Sequence, residues 1–126
     1  MTARSGKRRR RVLVVDDHEM LRSGMTVALT AAGFQVDSAA DGLAALAVVS
    51  RTPPDVVILD LKMPVLDGYA TLARLRADPA TAGIPVVIAT ASEAERSHML
   101  AEGAAAFVTK PIDALQLLRE VSLALG

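Results

Sequence analysis

A chain of 126 residues with no cysteine and a net charge of zero allows one domain and excludes disulfides, thiol catalysis and thiolate metal sites. Its apolar runs are only a few residues long, too short to span a bilayer, and no apolar core follows the basic N-terminus as a secretory signal requires. The neutral total is uneven: residues 1–11 carry six basic side chains and no acid, leaving 8 basic and 14 acidic side chains for the rest, about −6. We read residues 1–11 as a basic, disordered leader and residues 12–126 as the folded body. No aromatic is interleaved with the leader's arginines, so nucleic-acid contact would rest on charge alone and is not expected.

In chain order, Val12 to Val15 is a short apolar strand ending on Asp16-Asp17. A helix follows, with Leu21, Met25, Ala28, Leu29 and Ala32 on one face and Gly33 as its left-handed stop. Phe34 to Ala39 alternates as a strand does. Asp41 caps a second helix whose inner face is read as Leu43, Leu46, Ala47 and Ser50, and Pro53-Pro54 ends it. Val56 to Leu59 is apolar throughout, too short for a helix, and reads as a strand buried on both faces that stops on Asp60. Asp67 to Ala77 is a helix, with Asp67 its cap and Tyr69, Leu72 and Leu75 inward. Val86 to Ala89 is a strand ending on Thr90, and Glu93 to Glu102 a short helix closed by Gly103. Ala106 to Thr109 is the fifth strand, followed by Lys110-Pro111. Asp113 then caps a last helix with Leu115, Leu118, Val121, Leu123 and Leu125.

Five β-then-α units with short links predict a parallel sheet covered on both faces by right-handed crossovers. In such sheets ligands bind at the carboxyl ends of the strands. Asp16-Asp17, Asp60, Thr90 and Lys110 all fall there. Clustered carboxylates repel one another and suit a hard divalent cation with oxygen ligands, Mg²⁺, while His18 and His98, with no second histidine near either, do not make a zinc site. A lysine and a hydroxyl beside that cation form a phosphoryl site, and a carboxylate can itself take the phosphoryl group. Asp60, alone at the tip of the central strand, is the candidate acceptor; Asp16 and Asp17 are the candidate metal pair. His18 is placed at the rim and His98 on the surface.

The segments VVDD, VVILDLKMPVLDG, VVIATAS and AFVTKPID, in that order, resemble the signature blocks of response-regulator receiver domains, the phosphoacceptor modules of two-component signalling. The resemblance covers residues 12 to 125. It implies a flavodoxin-like (βα)5 fold with strand order 2-1-3-4-5. It implies that Asp60 is phosphorylated by a histidine kinase or phosphotransfer protein. Mg²⁺ would be held by Asp17 directly, by Asp16 mainly through water, by Asp60 and by the main-chain carbonyl of Lys62. Lys110 would pair with the phosphoryl group and Thr90 would hydrogen-bond it. Phe107 would be the aromatic switch residue, and the Lys110–Pro111 peptide is commonly cis in the family. The activity expected is phosphorylation-dependent switching, in the cytoplasm, as a monomer or weak dimer, with no enzyme turnover beyond the domain's own phosphotransfer and autodephosphorylation.

One departure matters. From Thr90 to Gly103 there are 13 steps, about two fewer than in most of the family, so the fourth helix or its leading loop is short. The chain ends at Gly126 directly after the last helix and is read as a switch without an output domain of its own, either a freestanding relay or protein-binding switch or a receiver excised from a larger regulator. A haloacid-dehalogenase-type phosphohydrolase also phosphorylates an aspartate with Mg²⁺. It wants Asp-x-Asp after its first strand, where this chain has Asp16-Asp17-His18. No Gly-x-x-x-x-Gly-Lys pattern is present for a P-loop.

Overall fold

The structure, a computed structural model, describes residues 9–126; positions 1–8, most of the basic leader, lie outside the described residues. Five strands, β1 (Arg11–Val15), β2 (Gln35–Ala39), β3 (Val56–Leu59), β4 (Val86–Thr90) and β5 (Ala106–Thr109), form one parallel sheet in the order β2-β1-β3-β4-β5. The helices between and after them are α1 (Glu19–Ala31), α2 (Gly42–Arg51), α3 (Gly68–Ala77), α4 (Arg96–Ala101) and α5 (Ala114–Leu125). This is the (βα)5 order expected from the alternation of apolar runs and caps. No helix among the described residues is long and apolar enough to cross a membrane.

The strands sort their residues by alternation. Leu13, Val15, Val57, Leu59, Val86, Ile88 and Phe107 face one side, against Ala45 and Val49 of α2, Leu72 and Leu75 of α3 and Met99 of α4. Val12, Val14, Val56, Ile58, Val87 and Val108 face the other, against Met25 and Leu29 of α1 and Leu117 and Val121 of α5. Burial on both faces is why β3 reads as an unbroken apolar run. Asp41, Asp67 and Asp113 each accept a main-chain N–H at a helix start, from Ala44 at 2.8 Å, Ala70 at 2.9 Å and Leu115 at 2.9 Å, so all three act as caps.

Several inner faces differ from the sequence reading. In α2 the buried row is Gly42, Ala45 and Val49, whereas Leu43, Ala47 and Ser50 are exposed. Every residue from 43 to 49 is apolar, so periodicity cannot choose a face. Size chose it instead: a Cβ on Gly42 would overlap the Thr71 hydroxyl. In α5 the inward residues are Leu117 and Val121, while Leu115 and Leu123 are 74% and 68% exposed. Ala32 lies beyond α1 and is exposed. The fourth helix is indeed short, six α-helical residues preceded by a 3₁₀ turn at Glu93–Glu95. The first strand starts at Arg11, whose main-chain N–H donates to Asp55 at 2.7 Å and whose guanidinium pairs with Asp37 at 2.9 Å.

Candidate functional site

The ladder hydrogen bonds continue one residue past the strands and place the polar groups. Asp16 N–H donates to Ala39 at 3.1 Å, Asp60 N–H to Val15 at 3.0 Å, and Lys110 N–H to Thr90 at 2.8 Å. These bonds tie the end of β1 to β2, β3 to β1 and β5 to β4, and Asp16, Asp60, Thr90 and Lys110 stand at the same edge of the sheet. The Lys110 ammonium lies 2.7 Å from Asp16 Oδ2 and 3.3 Å from Asp60 Oδ2. One carboxylate oxygen each from Asp16, Asp17 and Asp60 lies within 4.8 Å of the others.

The three acids are not equivalent. Asp16 is fully buried; its Oδ1 accepts the His18 main-chain N–H at 2.8 Å and its Oδ2 holds Lys110. Asp17 is exposed, and its carboxylate makes no hydrogen bond or ion pair among the described residues. Asp60 is 6% exposed, and its Oδ1 accepts the Leu61 N–H at 2.8 Å. Burial pushes the Asp60 carboxyl above its ordinary range; Lys110 draws it back and the Asp16 charge raises it further, so the net shift is upward. Burial pushes Lys110 down, but the hydrogen bond to Asp16 and the charges of Asp60 and Asp16 together outweigh it, and the ammonium is held charged.

Thr90, the last residue of β4, is 2% exposed, and its hydroxyl has no protein partner among the described residues. Phe107 sits one strand over, beside Ile88, and is buried. Lys62 is exposed in the loop after β3. The Lys110–Pro111 peptide is cis. His18 holds the N-cap position of α1 without a side-chain cap bond, and His98 is exposed on α4.

Two supports escaped the sequence reading. Gly68, the first residue of α3, lies against the main chain of the acceptor candidate: a Cβ there would overlap Asp60 O and lie 2.7 Å from Leu61 Cα. The Asp-Gly pair at 67–68 was a signal, but it read only as a cap. Arg22 of α1 donates to the main-chain carbonyl of Asp16 at 2.7 Å. A main-chain acceptor six residues away leaves no mark in a sequence.

The model of the response regulator receiver domain matches residues 12–122. The chain belongs to the response regulator receiver domain family. Receivers are the phosphorylation-dependent modules of two-component response regulators, and this receiver carries that architecture. It is 42% identical over 113 residues to the response regulator PleD of Caulobacter vibrioides, covering 88% of this chain and 25% of that protein. It is 34% identical over 118 residues to the protein PilH of Pseudomonas aeruginosa, covering 92% and 98%. The receiver thus spans about a quarter of PleD, about half of the transcriptional regulator RpaA of Synechocystis, and nearly all of PilH. A putative response regulator from Chloroflexus aurantiacus superposes with a TM-score of 0.89 at 28% identity, covering 94% of this chain and 98% of that one. The chemotaxis protein CheY4 of Vibrio cholerae superposes with 0.86 at 30%, covering 93% and 99%.

Proposed function

We propose that Asp60 accepts the phosphoryl group, from a histidine kinase or a phosphotransfer protein, and that the change is read by a downstream protein. The observation that carries this is the contact of Lys110 with both buried acids, which puts a fixed cation beside the one carboxylate at the tip of the central strand. Leu61 N–H holds Oδ1 at 2.8 Å, whereas Oδ2 has only the longer 3.3 Å contact with Lys110, so Oδ2 is the oxygen that attacks phosphorus. The bond from phosphorus to the donor's imidazole nitrogen breaks as the bond to Oδ2 forms. Lys110 and the Thr90 hydroxyl then meet the charge on the transferred oxygens. Water later cleaves the acyl phosphate and releases inorganic phosphate, which makes the domain a self-resetting switch rather than a turnover enzyme. Incubation with acetyl phosphate and Mg²⁺ should add the mass of one phosphoryl group.

The oxygen-only donor set fits a hard divalent cation. Asp17 would bind it directly, Asp16 mainly through water because both its oxygens are engaged, with Asp60 and the Lys62 carbonyl completing the set. When bound, Mg²⁺ supplies charge neutralisation for the acids and the incoming phosphoryl oxygens. Raised melting with Mg²⁺ is therefore expected, by about 2.7 kcal/mol of stabilisation when the ion is near 100-fold above its Kd. Asp17→Asn should lose that rise; a variant with the parent's Mg²⁺ shift would overturn the ligand assignment.

The donor must approach the open side of the crevice. Beside it, α1 and α5 leave an apolar cleft of about 300 Å³ lined by Met20, Leu21, Met25, Pro111 and Ile112. Met20 is 79% exposed. We assign this cleft to the donor, since Pro111 directly follows the lysine of the site. Donors recharged from ATP place the reaction in the cytoplasm, and a monomer or weak dimer suffices for it. The basic leader lies outside the chemistry: a chain starting at Arg10 should be phosphorylated at the parent's rate, and a large loss would show that the leader completes the site.

A further inference from the structure

Asp16 is held at every polar atom it has. Its N–H donates to Ala39 O at 3.1 Å, its Oδ1 accepts from His18 N–H at 2.8 Å, and its Oδ2 accepts from Lys110 at 2.7 Å. The fourth atom, the main-chain carbonyl, accepts from Arg22 Nη1 at 2.7 Å. That carbonyl belongs to the peptide that joins Asp16 to Asp17. A peptide is planar, so fixing its oxygen also fixes where the Asp17 Cα sits. The Asp17 side chain is exposed and has no hydrogen bond or ion pair of its own among the described residues. Arg22 stands at the end of the first turn of α1, with its N–H on His18 O at 2.9 Å. Met25 and Leu29, buried against the sheet, set that helix's register. The guanidinium is half-buried and lines a cleft of about 280 Å³ together with Glu19 and Ser38. Among the described residues it nevertheless pairs with neither Glu19 nor Asp17, and its charge goes to a neutral carbonyl at the edge of the site.

We propose that Arg22 is a positioning residue for the divalent cation: it locks the Asp16–Asp17 peptide and so aims the Asp17 carboxylate. The inference rests on the reading of Asp17 as the direct Mg²⁺ ligand. Asp17 can turn about its own side-chain bonds, but the direction in which its Cβ leaves the chain is set by the peptide that Arg22 holds. A charged donor on a carbonyl makes a stronger bond than a neutral one, which suits a tether on an otherwise unrestrained ligand. Two effects of the guanidinium oppose each other. As a cation on the same side of the sheet edge, it repels a second cation. That repulsion acts beyond ion-pair distance of Asp17, on a half-buried group, and salt screens it. The hydrogen bond acts on the main chain at 2.7 Å whatever the salt. Positioning therefore wins, and loss of the guanidinium weakens Mg²⁺ binding. The sign of that change separates the two effects, since relief of repulsion alone would tighten it.

The test titrates Mg²⁺ by calorimetry into the full chain, with no phosphoryl donor present, for the parent, Arg22→Met, Arg22→Lys and Asp17→Asn. Methionine keeps the apolar stem and removes the donor; lysine keeps one donor and the charge. Arg22→Met should raise the Kd for Mg²⁺ about ten-fold, the size expected when a partner behind a metal ligand is lost. Arg22→Lys should recover most of that loss. Without metal, the Asp17 amide resonance should move in Arg22→Met, because the carbonyl before it has lost its donor. In phosphorylation by acetyl phosphate, the Mg²⁺ concentration for half-maximal rate should rise more than the maximal rate falls. An Arg22→Met chain that melts lower yet binds Mg²⁺ as the parent does has lost only a structural bond, and overturns the proposal. Tighter binding in that variant would overturn it too, and would assign Arg22 to repulsion. An Asp17 resonance equal to the parent's would show that no tether exists. An Asp17→Asn chain with the parent's affinity would instead overturn the ligand reading beneath the proposal.

Discussion

Asp60→Asn is expected to take up no phosphoryl group from acetyl phosphate and, without Mg²⁺, to melt above the parent. The first result follows from losing the only carboxylate at the tip of β3; a full mass gain in the variant would reject Asp60. The second follows from the direction of its pKa. Burial, and the Asp16 charge beside it, raise the Asp60 carboxyl above its value in the unfolded chain, against the pull of Lys110. A raised acid binds its proton more tightly in the fold. Its contribution to stability is therefore present below the unfolded value of 3.8 and is lost as pH rises through the raised folded value. At neutral pH the ionised group is a net cost that asparagine does not carry. Lys110 keeps Asp16 as a partner at 2.7 Å, so no charge is orphaned. A gain of a few degrees corresponds to about 1 kcal/mol in a domain of this size. The gap should narrow at low pH, where the parent is protonated, and again with Mg²⁺. A variant that melts lower than the parent at pH 7 would reject the account.

Gly68→Ala should be the most damaging small substitution near the site. The added methyl would overlap the Asp60 carbonyl oxygen and sit 2.7 Å from Leu61 Cα and 2.9 Å from Asp60 C. All three atoms are main chain at the end of a buried strand, so none can swing aside. Either α3 lifts or the acceptor moves. Overpacking of this kind costs about 1–3 kcal/mol, and a misplaced acceptor should slow phosphorylation on the order of 100-fold. Gly24→Ala, read with acetyl phosphate because Gly24 borders the cleft between α1 and α5, is the control: no heavy atom lies within 4 Å of its Cβ position. That change should stabilise by up to about 1 kcal/mol and leave the rate alone. Parent-level melting and rate in Gly68→Ala would show that α3 does not set the acceptor's position.

The sequence by itself determined the element order, the parallel sheet and which residues stand at its carboxyl edge. Those follow from short-range facts: an apolar run of four ending on Asp60, aspartates that cap helices, and a proline or glycine at each stop. A run that terminates on an acid carries its position and its chemistry together. The tertiary structure alone decided what each group meets. Residues 43 to 49 of α2 are all apolar, and it is the close approach of Thr71 and Leu66 to Gly42 that turns the row Gly42, Ala45 and Val49 inward. Asp16 and Asp17 are neighbours of the same type, yet the strand's pleat buries one against Lys110 and leaves the other open. Val65 takes a left-handed φ of 69° that no glycine announces, because Leu66 N–H folds back to Pro64 O at 2.8 Å. Glu93, Arg96 and Thr109 are unremarkable in the chain. They meet because β4 and β5 pair in register, and that pairing joins residues 16 positions apart whose contact no local pattern encodes.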